Sequence, residues 1–331
     1  MATLIIASTT EGAGKTAIAA ALATRFAASD RKVALGKAWA DDPSSDPDAA
    51  ALHALAPEAE AITAVALNGD QPATAQVGEI AGRLNKVAAG VPVSVIEGRS
   101  GDTGSNLALA EAVDGLVVLV ARLEDDIAGH ARVYGSRLAG VIINGVPRYR
   151  EASLQAEVLP ALTEAGIPVL GWLPEDRRLL APTVDLVAEH LEGQYALWKE
   201  HSGRLIDNFL IGGMILDWGP LYFSSQENVG VVVRGDRPDI QLAAVQTGTV
   251  QAMILTKGIP PIEYVYYEAD QREIPVVVVA TDTNETAAKL ESLLPKIRFD
   301  HPEKLQRLLE LADGRLDFDA IEAAAVQPAT R

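Results

Sequence analysis

Apolar and polar positions along the chain fall into two alternating textures. Short apolar runs at residues 3–7, 33–37, 93–96, 116–120, 140–144 and 169–173 are separated by longer stretches with helical periodicity, the clearest at 17–28, 75–88, 153–165 and 183–191. The runs are apolar at consecutive positions and rich in Val and Ile, the pattern of strands buried on both faces of a mainly parallel sheet. The helix at 153–165 stops at Gly166, ahead of Pro168, a usual C-terminal signal. The expected fold class is therefore α/β, with helices on both faces of the sheet.

Periodicity weakens across residues 192–203, which are expected to form a linker. The pattern then restarts. Runs at 229–234, 252–256 and 275–280 read as three strands, followed by helices at 239–247, 263–273 and 284–294, giving a smaller second α/β domain over 204–295. Residues 296–331 are expected to hold one amphipathic helix near 303–312 and a loose tail from Ala325 to Arg331. The 331 residues, 48% of them apolar, suffice for two cores.

Charge and composition narrow the function. A formal net charge of −17 disfavours nucleic acid or an anionic membrane as partner, since both demand clustered Lys and Arg. The chain has no cysteine, which excludes disulfides, zinc–thiolate sites and thiol catalysis. Residues 1–7 lead straight into a polar loop, and no apolar run reaches ~18 residues, so a soluble, cytoplasmic protein is expected.

The loop behind the first strand, Ser8-Thr9-Thr10-Glu11-Gly12-Ala13-Gly14-Lys15-Thr16, carries the chemistry. Its glycines let backbone N–H groups curl around phosphate oxygens, and the following helix adds a partial positive charge. Lys15 reaches the outer phosphates, and the Thr16 hydroxyl can hold Mg2+. Thr10, Glu11, Gly12, Ala13, Gly14, Lys15, Thr16 and Ala17 are thus the candidate nucleotide cradle of a P-loop NTPase-type domain at 1–191. Glu97 ends a strand beside the loop, where a buried carboxylate is costly unless it pairs or coordinates, and it is read as a magnesium group or a cap for the next turn. The usual Asn-Lys-x-Asp guanine signature is absent, which favours ATP.

The strict loop pattern has Gly where this chain has Thr9. The variant form resembles that of dethiobiotin synthetase, and more closely the dethiobiotin-synthetase-like region at the N-terminus of some phosphotransacetylases. Gly36-Lys37-Ala38, Asp46-Pro47-Asp48-Ala49, Val95-Ile96-Glu97-Gly98, Gly140-Val141-Ile142-Ile143-Asn144 and the segment from Pro168 to Asp176 agree in order and spacing. The resemblance implies that Lys37 holds a substrate anion, making Lys15 and Lys37 the catalytic candidates. It also implies that Asp48 joins Thr16 and Glu97 at the metal, that Asn144 reads adenine, and that Pro174 is among the cofactor-binding residues. For Asp48 an N-cap of the helix at 49–55 stands equally open, and for Asn144 a turn before Gly145. The sequence departs from the resembling synthetases around Lys37, where Lys-Pro becomes Lys37-Ala38, and after Glu97, which brings the substrate pocket into question. The extra signature lysine of the partition and cell-division ATPases would fall on Thr10.

Residues 204–295 resemble the DRTGG domain, on the strength of residues 209–214, 235–240, 255–258 and 280–283. Gly235, Asp236, Arg237, Thr256, Gly258, Asp282 and Thr283 fall just past predicted strand ends, where open α/β sheets bind ligands. A small-metabolite site, a dimer contact, or simple helix capping by Asp236, Asp239, Thr283 or Asn284 each fit those residues. The aromatic group at 217–223 reads as core or as an interface patch. Together these features suggest an ATP- and Mg2+-binding regulatory homodimer, with a ligase or kinase and an assembly factor for a separate transacetylase as alternatives. The transacetylase domain that follows in the resembling enzymes is not expected here.

Overall fold

The computed structural model describes residues 2–67, 69, 74–88 and 90–325. They form two compact units: one runs to Asp176 and resumes at Phe299, and the other is Arg177–Arg298. The tail expected to be loose lies, from Val326 on, outside the described residues.

The first unit is built from β1 (Ala2–Ser8), α1 (Lys15–Ala28), β2 (Val33–Lys37), β3 (Trp39–Ala40), α2 (Pro47–Leu55), β4 (Glu60–Ile62), β5 (Val65–Ala66), α3 (Thr74–Ala88), β6 (Val93–Ser100), α4 (Thr103–Ala112), β7 (Leu116–Ala121), α5 (Ile127–Tyr134), β8 (Leu138–Val146), α6 (Glu151–Ser153), α7 (Leu159–Glu164) and β9 (Val169–Pro174). Seven strands form one sheet in the order β4-β2-β6-β1-β7-β8-β9, and every pair in it is parallel. β3 and β5 make a separate parallel pair.

Side chains alternate across the sheet. Ile5, Ala7, Val117, Leu119, Val141 and Ile143 pack with Ile80, Leu84, Leu109 and Ala131 from α3, α4 and α5. Their neighbours Leu4, Ile6, Val118, Val120 and Ile142 are as fully buried. Both faces are thus covered, which is why the strands read as continuous apolar runs. α1 is Ala-rich, and small side chains of high helix propensity let it lie close against β1, β2 and β6.

In the second unit, α8 (Val184–His190) is followed by β10 (Gln194–Leu197), β11 (Asn208–Gly212), α9 (Gly219–Phe223), β12 (Val229–Arg234), α10 (Pro238–Val245), β13 (Val250–Thr256), α11 (Glu263–Asp270), β14 (Val276–Val278) and α12 (Thr283–Glu291). The sheet order is β10-β14-β13-β12-β11, parallel except for β10. Val231, Val233, Met253 and Leu255 pack on one face with Phe223, Ile240 and Val265. Val232, Ile254 and Val277 face the other way, onto Val184 and Val187 of α8. Segment 192–203, expected as a linker, is structured within this unit: β10 adds an antiparallel edge to β14. Four residues are too few to show a strand period, which is why the sequence pattern goes flat there.

The chain then returns to the first unit as α13 (Pro302–Ala312) and α14 (Phe318–Ala324). α13 lies against α1 and β9. Leu316 forms an antiparallel bridge with Gly171, and the Asp317 amide donates to the Leu170 carbonyl at 2.7 Å. Arg307 pairs with Asp176 at 2.8 Å, and Arg31 with Glu322 at 2.9 Å. The C-terminal helices are therefore part of the first unit's packing, and the second unit is an insertion in its sequence. Leu308, 1% exposed on α13, tests this. Leu308→Ala is expected to cost about 2–4 kcal/mol in urea denaturation. Amide exchange should show the loss of protection in α1 and β9, with β12 and β13 unaffected.

Candidate functional site

The C-terminal ends of the seven parallel strands lie along one edge. β1 sits where the strand order reverses direction, the position at which open α/β sheets form a crevice. The loop from Thr9 to Gly14 follows β1, and Lys15 and Thr16 open α1. Gly12 and Gly14 take positive φ of 69° and 105°, conformations open to glycine that curl the loop before the helix. Ala13 and Ala17 are buried, while Thr10 and Glu11 are exposed at the loop's outer side.

β6 lies between β2 and β1, and this neighbourhood assembles the charges. Lys37 at the end of β2 pairs in register with Glu97 on β6. Glu97 is 2% exposed. Its Oε1 is 3.8 Å from Lys15 Nζ, the neighbouring Thr16 side chain works to lower its pKa, and Oε2 has no hydrogen-bond partner among the described residues. Lys15 Nζ also donates to Ser100 Oγ at 2.5 Å. Burial pushes Glu97 above the usual carboxylate range despite Lys15 and Lys37, and burial likewise pulls Lys15 below its ordinary value despite Glu97. Both partners thus move toward their neutral forms, so their mutual attraction does not offset desolvation.

Lys37 is differently placed. Its Nζ donates to Asp46 Oδ2 and Asp48 Oδ2, both at 2.9 Å. Burial, the largest single influence, works to lower its pKa, but the two carboxylates outweigh it and hold Lys37 above the ordinary 10.5. Asp48 therefore stands against Lys37. The capping role weighed for Asp48 belongs to Asp46, whose Oδ1 accepts from the Ala49 amide at 2.9 Å, because the helix starts earlier than expected, with Pro47 in its first turn.

Three residues passed over in the sequence complete the site. Asn106 is fully buried on α4; it accepts from the Arg99 amide and donates to the Arg99 carbonyl, at 2.9 and 2.8 Å. It thereby stands in for a strand partner where the β1–β6 register shifts between Ile6 and Ser8, and it holds in place the segment bearing Glu97 and Ser100. Asp125, after β7, accepts from the Thr9 hydroxyl, from Thr10 Oγ1 at 3.3 Å and from the Arg122 amide at 2.8 Å. Arg122 Nη2 donates to the Gly12 carbonyl at 2.8 Å. The signal for Arg122 and Asp125 was their place just past an apolar strand. Asn144 lies two residues before the end of β8, beside the loop, with Nδ2 on the Ala13 carbonyl at 2.7 Å. Pro174 closes β9, opposite Val146, at the outer end of the sheet.

In the second unit the sheet also gathers the expected residues at one edge. The Gly235 amide donates to Thr256 O at 3.1 Å, Lys257 N to Thr281 O at 2.8 Å, and the Thr256 and Thr283 hydroxyls are 3.3 Å apart. The charges there are locally paired. Arg234 forks onto Asp236, holding its carboxyl down at about 2, and Arg237 forks onto Asp239. Asp236 and Asp239 thus cap no helix. Asp282 caps α12 through the Glu285 amide, in place of Thr283 or Asn284. Lys257 and Gly258 carry positive φ of 70° and 65°. In the aromatic group, Phe223 is core, while Trp218 is 61% and Leu221 67% exposed. No helix among the described residues is long and apolar enough to cross a membrane, and no group of three His, Cys, Asp or Glu gathers as a metal cage.

A glycine-rich loop opening a helix at the centre of a parallel sheet defines a P-loop nucleotide-binding domain. Residues 4–184 match the CobQ/CobB/MinD/ParA nucleotide binding domain, and the chain belongs to that family; residues 186–293 match the DRTGG domain. The family takes in the partition and cell-division proteins from which Thr10 set this loop apart, so that difference lies within it. Phosphate acetyltransferase of Deinococcus radiodurans is 28% identical, with 96% of this chain and 50% of that protein aligned. The enzyme of the same name from Nitrosomonas europaea is 26% identical over 76% of this chain and 40% of its own. The chain thus spans about half the length, or less, of these relatives. Among solved structures, the MinC:MinD complex of Aquifex aeolicus is 16% identical at a TM-score of 0.39, covering 54% of this chain and 83% of that one.

The Lys37 cluster has a pH signature. Its raised pKa means that the folded state keeps the proton to higher pH than the unfolded chain does. The resulting stabilisation is fully present below 10.5 and is lost as pH rises through the higher folded value. Wild type should therefore lose melting temperature faster than Lys37→Met between about pH 10 and 12, as read by paired thermal melts.

Proposed function

We propose that this protein binds ATP with Mg2+ at the loop from Thr10 to Ala17 and acts as a nucleotide-responsive regulatory protein. The observation that carries the reading is the glycine-rich loop itself, with Gly12 and Gly14 at positive φ and Lys15 opening the helix, set beside a buried Glu97 whose Oε1 is 3.8 Å from Lys15 Nζ and whose Oε2 has no hydrogen-bond partner among the described residues. A polyphosphate beside Lys15 and a divalent cation beside Glu97 supply the missing counter-charges. The unpartnered buried Glu97 Oε2 and the neighbouring Thr16 hydroxyl fit a hard oxygen-seeking cation, and these two residues would hold it; Asp48 would join only by leaving Lys37. When bound, the metal neutralises charge on the phosphates.

Lys37 supports regulation over synthesis. A lysine already held by two carboxylates has its charge met, and a ligase would need it on a substrate anion. Slow ATP hydrolysis is compatible with this reading. The strand-end residues Gly235, Asp236, Arg237, Thr256, Gly258, Asp282 and Thr283 form the proposed metabolite-sensing edge of the DRTGG domain. The exposed Trp218 and Leu221 are the proposed contact of a cytoplasmic homodimer. The alignment of 96% of the chain with a phosphate acetyltransferase favours one further reading of the target: the module acts on, or helps assemble, a transacetylase.

Calorimetric titration of ATP, ADP and GTP, with and without Mg2+, tests the core of the proposal. Wild type should bind ATP with a Mg2+-dependent gain, and Lys15→Ala should lose at least tenfold in affinity, about 1.4 kcal/mol. Equal binding by Lys15→Ala, or none by wild type, overturns it.

A further inference from the structure

The residues behind the loop do more than support it. The Gly12 carbonyl is held by Arg122 Nη2 at 2.8 Å and the Ala13 carbonyl by Asn144 Nδ2 at 2.7 Å. Arg122 Nη1 also reaches the Asn144 carbonyl at 3.3 Å, tying the two holders together. A trans peptide is planar, with its C=O and N–H pointing in opposite directions. A carbonyl drawn outward therefore turns the N–H of the next residue inward. Here the paired donors are Ala13 N–H and Gly14 N–H, in the middle of the phosphate cradle. Asp125 fixes the base of the clasp by accepting from the Arg122 amide and from the hydroxyls of Thr9 and Thr10.

The backbone leaves room for this arrangement. A Cβ on Gly14 would lie 2.2 Å from Asn144 Nδ2, and one on Gly145 would lie 1.8 Å from Arg122 Nη1; both glycines also take positive φ, 105° and 68°. Gly14 at the head of α1 and Gly145 in β8 thus admit the two side chains that grip the loop.

We infer that Arg122 and Asn144 are positioning residues that preset the Ala13 and Gly14 amides as phosphate donors, Asn144 acting on the loop through Nδ2. The inference rests on the nucleotide-binding reading above and gives Asn144 a role apart from the adenine contact that the family resemblance implies. Preset donors cost no reorganisation when the anion arrives, so their loss should weaken every ligand that carries the phosphates, with or without a base.

Inorganic tripolyphosphate, which has no base, separates the roles. Affinities for ATP and for tripolyphosphate are measured by calorimetry on wild type, Asn144→Ala, Arg122→Met and Arg122→Lys, with a thermal melt of each protein. The expected result is a parallel loss of about tenfold for both ligands in Asn144→Ala and Arg122→Met. Arg122→Lys should recover part of it, because an ammonium still donates to the Gly12 carbonyl. A loss confined to ATP in Asn144→Ala would make Asn144 a base reader and overturn the inference. Unchanged affinities in both variants, or a lysine variant no better than the methionine one, would overturn it as well. Wild type that binds neither ligand would bring down the nucleotide reading itself, and the clasp with it.

Discussion

A carboxylate buried beside the phosphate loop is the constraint around which the first unit is organised. Glu97 lies within β6, three residues before its end, with one oxygen unpartnered among the described residues, and taking such a group out of water is costly. The protein meets part of that cost with Lys15 and the Thr16 hydroxyl and leaves the remainder uncompensated. Everything nearby follows from holding that imbalance in place: Asn106 pins the register shift of β6, Ser100 takes the Lys15 ammonium, and Lys37 is drawn to two aspartates that satisfy its own charge. The result is a glycine-rich phosphate loop with a buried, undercompensated carboxylate at its side.

The contacts that hold the loop's carbonyls have a separate source. The loop's own residues supply the amides, but side chains from the ends of β7 and β8 decide where its carbonyls point. Parallel topology makes this possible, since it delivers the ends of successive strands to the same edge. The second unit repeats the principle at smaller scale, with strand-end loops linked by backbone hydrogen bonds and short-range ion pairs such as Arg234–Asp236 and Arg237–Asp239. Pairs this exposed add little to stability and mainly hold geometry.

Much of the architecture was legible in the sequence because the signals were local. Consecutive apolar β-branched runs marked β1, β2, β6, β7, β8 and β9, and the glycine loop announced its chemistry by composition alone. What escaped was short or long-range. β4, β10 and the β3–β5 pair carry too few residues for a period to show, and β10 turned an expected linker into the edge of a sheet. The C-terminal helix was visible as an amphipathic stretch, yet its docking on α1 and β9, across the whole inserted unit, has no local signal.

The same division runs through the site. The residue types that can cradle phosphate, Gly12, Gly14, Lys15 and Thr16, were determined by the sequence alone, because a tight turn into a helix needs them adjacent in the chain. The assignments of Asp46 and Asp48 to Lys37, of Asn106 to Arg99, and of Arg122 and Asn144 to the loop carbonyls were decided only by the tertiary structure. A hydrogen bond is made between atoms within about 3 Å of each other, and residues separated by up to 131 positions reach that distance only after the strand order is set.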